Sequence, residues 1–174
     1  MIGDAIKVGA LVFVAAVLQS AVFSEVVVLG GTPDVLLVCV VCVALLRGPL
    51  AGACAGFFGG LVIDVALLET LGMTSLLLTM AGYWSGLYGE RTAFDRRYAP
   101  YVAVTVTTLL YLSGMLLVHF LLAQPAPART VLFDTLFQSL ALNLLVTWPV
   151  YHAARWLLPS REPAPRSSGV SVLG

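Results

Sequence analysis

Three aspartates, two histidines and one Cys-x-x-Cys pair are the side chains here whose types and spacing point toward chemistry. Asp34, Asp64 and Asp134 are the candidate acids, and Cys39 with Cys42 has the spacing of a redox or metal pair. Their surroundings argue against a reaction. The two cysteines lie inside an apolar run, with no second pair and no nearby histidine, so they read as small buried side chains. Cys54 stands alone. His119 and His152 fall near opposite ends of the last two apolar segments and cannot share a site. No nucleophile–base pair, phosphate loop or metal-ligand spacing is present. The expectation is a protein that is not an enzyme and holds neither cofactor nor metal.

The elements that carry these residues belong in a bilayer. The chain has 174 residues, of which 60% are hydrophobic and 10% charged. Soluble domains carry about 25% charged residues. With a mean hydropathy of +0.99, the chain reads as an integral membrane protein. Nine basic residues balance nine acidic ones, so net charge points to no nucleic acid or other particular partner. One lysine against eight arginines, with much Ala, Val and Gly, fits a GC-rich bacterial genome.

Six apolar segments follow one another. The first, Ala5 to Phe23, is long enough for a core of about 30 Å and reads as a retained helix rather than a signal peptide. Ser24 to Thr32 is a loop whose Val26–Leu29 stretch dips into the interface. Pro33 and Asp34 open a short second helix to Leu46, which rises only about 20 Å. Arg47, Gly48 and Pro49 turn the chain into a hairpin, and a third helix runs from Pro49 to Leu68. Glu69 and Thr70 make the next turn, and the fourth helix covers Gly72 to Tyr88. A charged loop, Gly89 to Tyr98, precedes a fifth helix from Ala99 to Leu122. The sixth runs from Thr130, a plausible N-cap, to Leu157, with Pro149 expected to kink it near Leu145. Residues 1–158 thus form one transmembrane domain, and the Pro/Ser-rich stretch 159–174 reads as a disordered cytoplasmic tail.

Basic residues set the orientation. With six crossings, eight of the nine (Lys7, Arg47, Arg91, Arg96, Arg97, Arg155, Arg161 and Arg166) share one side, and only Arg129 lies on the other. Cytoplasmic loops are the ones enriched in Lys and Arg. Both termini are therefore expected in the cytoplasm, and the short second segment must cross for the split to hold. The Arg91–Arg97 loop reads as a solvated, topology-setting loop near anionic headgroups.

Polar and small residues inside the spans are the remaining candidates. Asp34 and Asp134 sit in helix first turns, where the macrodipole favours negative charge. Asp64, in an otherwise apolar run, reads as a boundary carboxylate bonded to loop amides, or as an anchor that fixes the outer loops against a partner. Ser139, Asn143 and Thr147 recur every four residues on one face of the sixth helix. They imply either a hydrogen bond across the bundle or a polar-lined cavity. Gly52, Gly56, Gly59 and Gly60 crowd one face of the third helix, and Gly82 and Gly86 repeat the spacing on the fourth. Such faces allow close backbone approach. Internal packing against the second or fourth helix is the default for such a face, and the further expectation is that part of it, or the small-residue face of the fourth helix, docks a partner helix.

The order of these pieces resembles a family. Thr-Pro-Asp at 32–34, Ala-Leu-Leu-Arg-Gly-Pro at 44–49, the glycines at 52, 56 and 60 with Phe57, then Asp64, and Leu-Gly-Met-Thr-Ser-Leu at 71–76 together look like the rod-shape-determining MreD family. The resemblance implies an all-α, six-helix protein of the bacterial inner membrane, similar in fold to the substrate-binding subunits of energy-coupling-factor transporters. It implies a scaffold of the cell-elongation machinery that binds MreC, a protein with one membrane helix. Through MreC it would be linked to RodA, a class B penicillin-binding protein and MreB, and so to cell shape and peptidoglycan synthesis. A small-molecule-binding subunit of an energy-coupling-factor transporter is the alternative.

Overall fold

The computed structural model describes residues 2–23, 33–68, 71–91, 98–121 and 129–158, with the backbone alone described at 2, 22–23, 118–120 and 129–135. These residues form an all-helical bundle: α1 (Ile2–Leu18, extended by a π-helical turn Gln19–Phe23), α2 (Val35–Arg47), α3 (Pro49–Ala66), α4 (Met73–Arg91), α5 (Ala99–Leu121) and α6 (Arg129–Leu157). Three helical stretches are long and apolar enough to cross a membrane (Gly3–Ala21, Pro49–Ala66 and Ala99–Leu117), and α2 is a shorter apolar helix.

The short helix is the centre of the bundle. Every residue from Val35 to Ala44 is buried, and α2 packs against all five of the others. Five of those ten residues are valine, a β-branched type with modest helix propensity. What holds them helical is the surroundings: a backbone enclosed by apolar side chains must pair its own N–H and C=O groups. A helix that is hydrophobic all round belongs in such an interior. The outer helices turn their large apolar groups away from it, as with Phe13 and Val14 of α1, Phe57 and Phe58 of α3, and Leu109 and Leu110 of α5.

The α3–α4 hairpin is the most closely packed pair, and glycine makes it so. A Cβ on Gly56 would overlap the Leu78 carbonyl, one on Gly60 the Ser75 backbone, one on Gly82 the Gly52 carbonyl and one on Gly86 the Pro49 backbone. The two backbones lie in direct contact along this face, and Ser75 Oγ donates across it to the Phe57 carbonyl at 2.9 Å. The expectation of a partner helix on Gly52, Gly56, Gly60, Gly82 and Gly86 is therefore corrected. The two small-residue faces consume each other within the chain. Gly59 points elsewhere, toward Val12 of α1 and Leu36 of α2.

At one end of the bundle, Arg47 closes α2. Its Nη1 lies 2.8 Å from Asp4 Oδ2 on α1, and its side chain is only 8% exposed. Gly48 follows with φ +93°, a left-handed turn that lets α3 start at once with Pro49. Glu90 of α4 reaches the same turn. All three tryptophans, and tyrosines 83, 88, 98, 101 and 151, lie in the half of the bundle nearer this Arg47 end.

Some boundaries move. α4 continues through Gly89 to Arg91, so Glu90 and Arg91 are helical rather than part of a loop. α6 starts at Arg129, which places Thr130 inside the first turn instead of at the cap, and it continues through Pro149. The Val26–Leu29 stretch, Arg96, Arg97 and the tail lie outside the described residues.

Graded alanine substitutions test the packing. Gly56→Ala forces backbone apart from backbone and is expected to cost about 1–3 kcal/mol, lowering both the melting temperature in detergent and the membrane level. Gly59→Ala meets only side-chain ends at 2.8 and 2.9 Å and should be milder. Gly9→Ala meets nothing within 4 Å and should not destabilise.

Candidate functional site: the polar network at the start of α2

A helix begins with N–H groups that have no partner in the helix itself. In water they are solvated, but the start of α2 is inside the bundle. Pro33 and Val35 are buried and Asp34 is half-buried. Three side chains meet the need. Asn143 Oδ1 of α6 accepts from the Asp34 N–H at 2.7 Å. Gln19 Oε1, from the π turn that ends α1, accepts from the Val35 N–H at 2.8 Å. Asp34 acts as N-cap, its Oδ1 accepting from the Leu37 N–H at 3.0 Å.

The network continues sideways. Asn143 Nδ2 donates to Thr108 Oγ1 of α5 at 3.1 Å, and Thr147 Oγ1 donates back to the Asn143 carbonyl at 2.6 Å. Asn143 is 1% exposed, so both ends of its amide are committed away from lipid. One side chain thereby ties α2, α5 and α6 together, and Gln19 adds α1. Beside the network lies a cavity of about 190 Å³. Gln19, Asp34, Thr74, Thr108, Ser139 and Asn143 contribute polar groups to its wall, and Leu37, Ile63, Leu78 and Met115 contribute apolar ones. Both readings of the α6 polar face thus hold together: Asn143 bonds across the bundle, and with Ser139 it lines a cavity.

Asp64 has a separate task. It is fully buried near the end of α3, and its Oδ2 accepts from the Gly72 N–H at 2.8 Å and the Ser75 N–H at 3.4 Å, at the start of α4. It caps the neighbouring helix across the hairpin. Its Oδ1 and the hydroxyl of Thr74 are buried with no hydrogen-bond partner among the described residues.

The structure brings Asp34 and Asn143 together, keeps Asp64 at the α3–α4 turn, and leaves the side chains of Asp134 and His119 outside the described residues. His152 is exposed, its Nδ1 2.9 Å from the Trp148 carbonyl. Cys39 and Cys42 are buried on α2, and the described residues hold no cluster of three metal-ligating side chains. Sequence reasoning passed over Gln19 and Thr74. Gln19 carried a signal, being an amide near the end of an apolar helix. Thr74 carried none, because a hydroxyl is unremarkable until its surroundings are known.

An all-helical bundle with lipid-compatible flanks, a buried apolar helix at its centre and its interior polar groups paired by hydrogen bonds or gathered at a cavity defines a helical membrane protein. Within that class the chain matches the family model described as rod shape-determining protein MreD over residues 5–156. It therefore belongs to the MreD family, whose role is rod-shape determination. No curated protein and no solved structure matches it.

Isosteric substitutions separate the network from its surroundings. Asn143→Leu leaves the Asp34 N–H and the Thr108 hydroxyl without their partner, at about 1–3 kcal/mol for each buried group. A clear fall in melting temperature is expected. Thr147→Val removes a hydroxyl whose acceptor, the Asn143 carbonyl, lies within the helical ladder. The cost should stay below about 1 kcal/mol, and an equal loss in both variants would contradict the network.

Proposed function

We propose that this protein is a non-enzymatic scaffold of the cell-elongation machinery in the bacterial inner membrane. It crosses the membrane six times with both termini in the cytoplasm, binds MreC directly, and is linked through it to RodA, a class B penicillin-binding protein and MreB. Membership of the MreD family over most of the chain is the observation that carries this reading. The eight-to-one division of basic residues between the two ends supports the orientation.

The packing narrows how a partner helix would bind. With the α3 and α4 glycines occupied inside the chain, contact falls to the outward apolar surface, of which Phe13, Val17, Phe57 and Leu61 are part. Association there draws on van der Waals packing rather than on the hydrophobic effect, since lipid tails are as apolar as the helix. A second reading, a small-molecule-binding subunit of an energy-coupling-factor transporter, is favoured by the cavity beside Asp34.

Tagged protein extracted in mild detergent is expected to co-purify MreC, and its depletion should turn rods into round cells. Gly56→Leu should reduce the MreC recovered only in proportion to its own membrane level. Recovery of energising ATPase subunits in place of MreC, with cell shape unchanged on depletion, would favour the transporter reading.

A further inference from the structure

The cavity beside α2 has the wrong chemistry for a void left by imperfect packing. Asp34 contributes a carboxylate to its wall, and among the described residues one of that group's oxygens accepts, from the Leu37 N–H. Among the described residues, no cationic side chain lines the cavity. The positive end of α2 supplies about half a charge at best. The Thr74 hydroxyl is 3% exposed, lines the same space and has no hydrogen-bond partner among the described residues. Ser139, 7% exposed, faces it as well.

A negative group and further oxygen acceptors, with no positive partner among the described residues, select for a cation and against an anion. A divalent metal is disfavoured, since it would want several oxygen ligands that include more charge than one carboxylate brings. A bare alkali ion would leave the opposite wall, with Leu37, Ile63, Leu78 and Met115, unfilled. A cavity of 190 Å³ has the room of about six waters, or of one molecule with about that many non-hydrogen atoms. An ammonium head brings three donors, and a short alkyl body suits the apolar wall.

We propose that this cavity binds a small organic cation, a primary ammonium on a short apolar body, with Asp34 as its counter-ion and the hydroxyls of Thr74 and Ser139 as further acceptors. The inference is independent of MreC binding. The same chemistry is available as a free amine or as the ethanolamine headgroup of a lipid.

The test uses the full chain in nanodiscs of phosphatidylcholine and phosphatidylglycerol, with melting temperature followed at neutral pH. Protonated n-butylamine is expected to raise it saturably by several degrees, whereas n-butanol, butyrate and potassium chloride should not. Asp34→Asn keeps an N-cap acceptor while removing the charge. It should weaken the amine effect by about tenfold or more. Thr74→Val, which leaves the carboxylate in place, should weaken it less. Discs containing phosphatidylethanolamine distinguish the source: a higher starting temperature and a diminished butylamine response identify the headgroup, and an unchanged response identifies a free amine. No saturable shift in either disc, an equal shift with potassium or butanol, or an undiminished shift in Asp34→Asn would each overturn the proposal.

Discussion

A helix that starts in the interior of a membrane bundle must find acceptors for its first N–H groups, and the structure depends on how α2 does so. An unpaired amide in an apolar medium is costly. Asp34, Gln19 and Asn143 supply the acceptors from three different parts of the chain. This arrangement brings the end of α1 and the middle of α6 to the same point. Thr108 joins through Asn143, which draws in α5. The bundle is thus pinned at this level by polar bonds, while α2 itself is enclosed by close-packed apolar side chains.

The other device is the absence of side chains. The α3–α4 hairpin gains its contact from backbones that touch along Gly52, Gly56, Gly60, Gly82 and Gly86. Dispersion energy falls away steeply with separation, so each omitted Cβ allows many further atom pairs to reach contact. Asp64 fixes the register of that hairpin by capping α4 from the end of α3. At the opposite end the Arg47–Asp4 pair fixes α2 against α1. The two ends of the bundle are therefore set by ionic and capping contacts, and the middle by shape.

These constraints also shape the functional reading. A protein of the MreD family whose small-residue faces are spent internally presents partners with an apolar outer surface. At one place in its interior a carboxylate, an amide and several hydroxyls surround one cavity. Structural demand explains the capping bonds there. It does not account for the buried Thr74 hydroxyl, which has no partner among the described residues, and that residual polarity separates a site from a simple helix end.

The sequence by itself determined the class and the elements. Runs such as Val35–Leu46 are too apolar to be anything but buried, Gly48–Pro49 can only turn and restart a helix, and the distribution of arginines divides the loops into two sets. The order of glycines and polar residues was sufficient for the family resemblance. What it left open was which faces meet. A glycine face is equally ready for an internal neighbour or a foreign one, because close approach depends on the absence of a Cβ and not on the partner's identity. The role of α2 was hidden for a related reason: a short apolar helix has the same composition whether it lies at the edge or the centre. Only the tertiary structure, by placing Asn143, Gln19 and Asp34 within hydrogen-bond distance across more than a hundred residues of chain, decided where the buried amides find their acceptors and where a cavity remains.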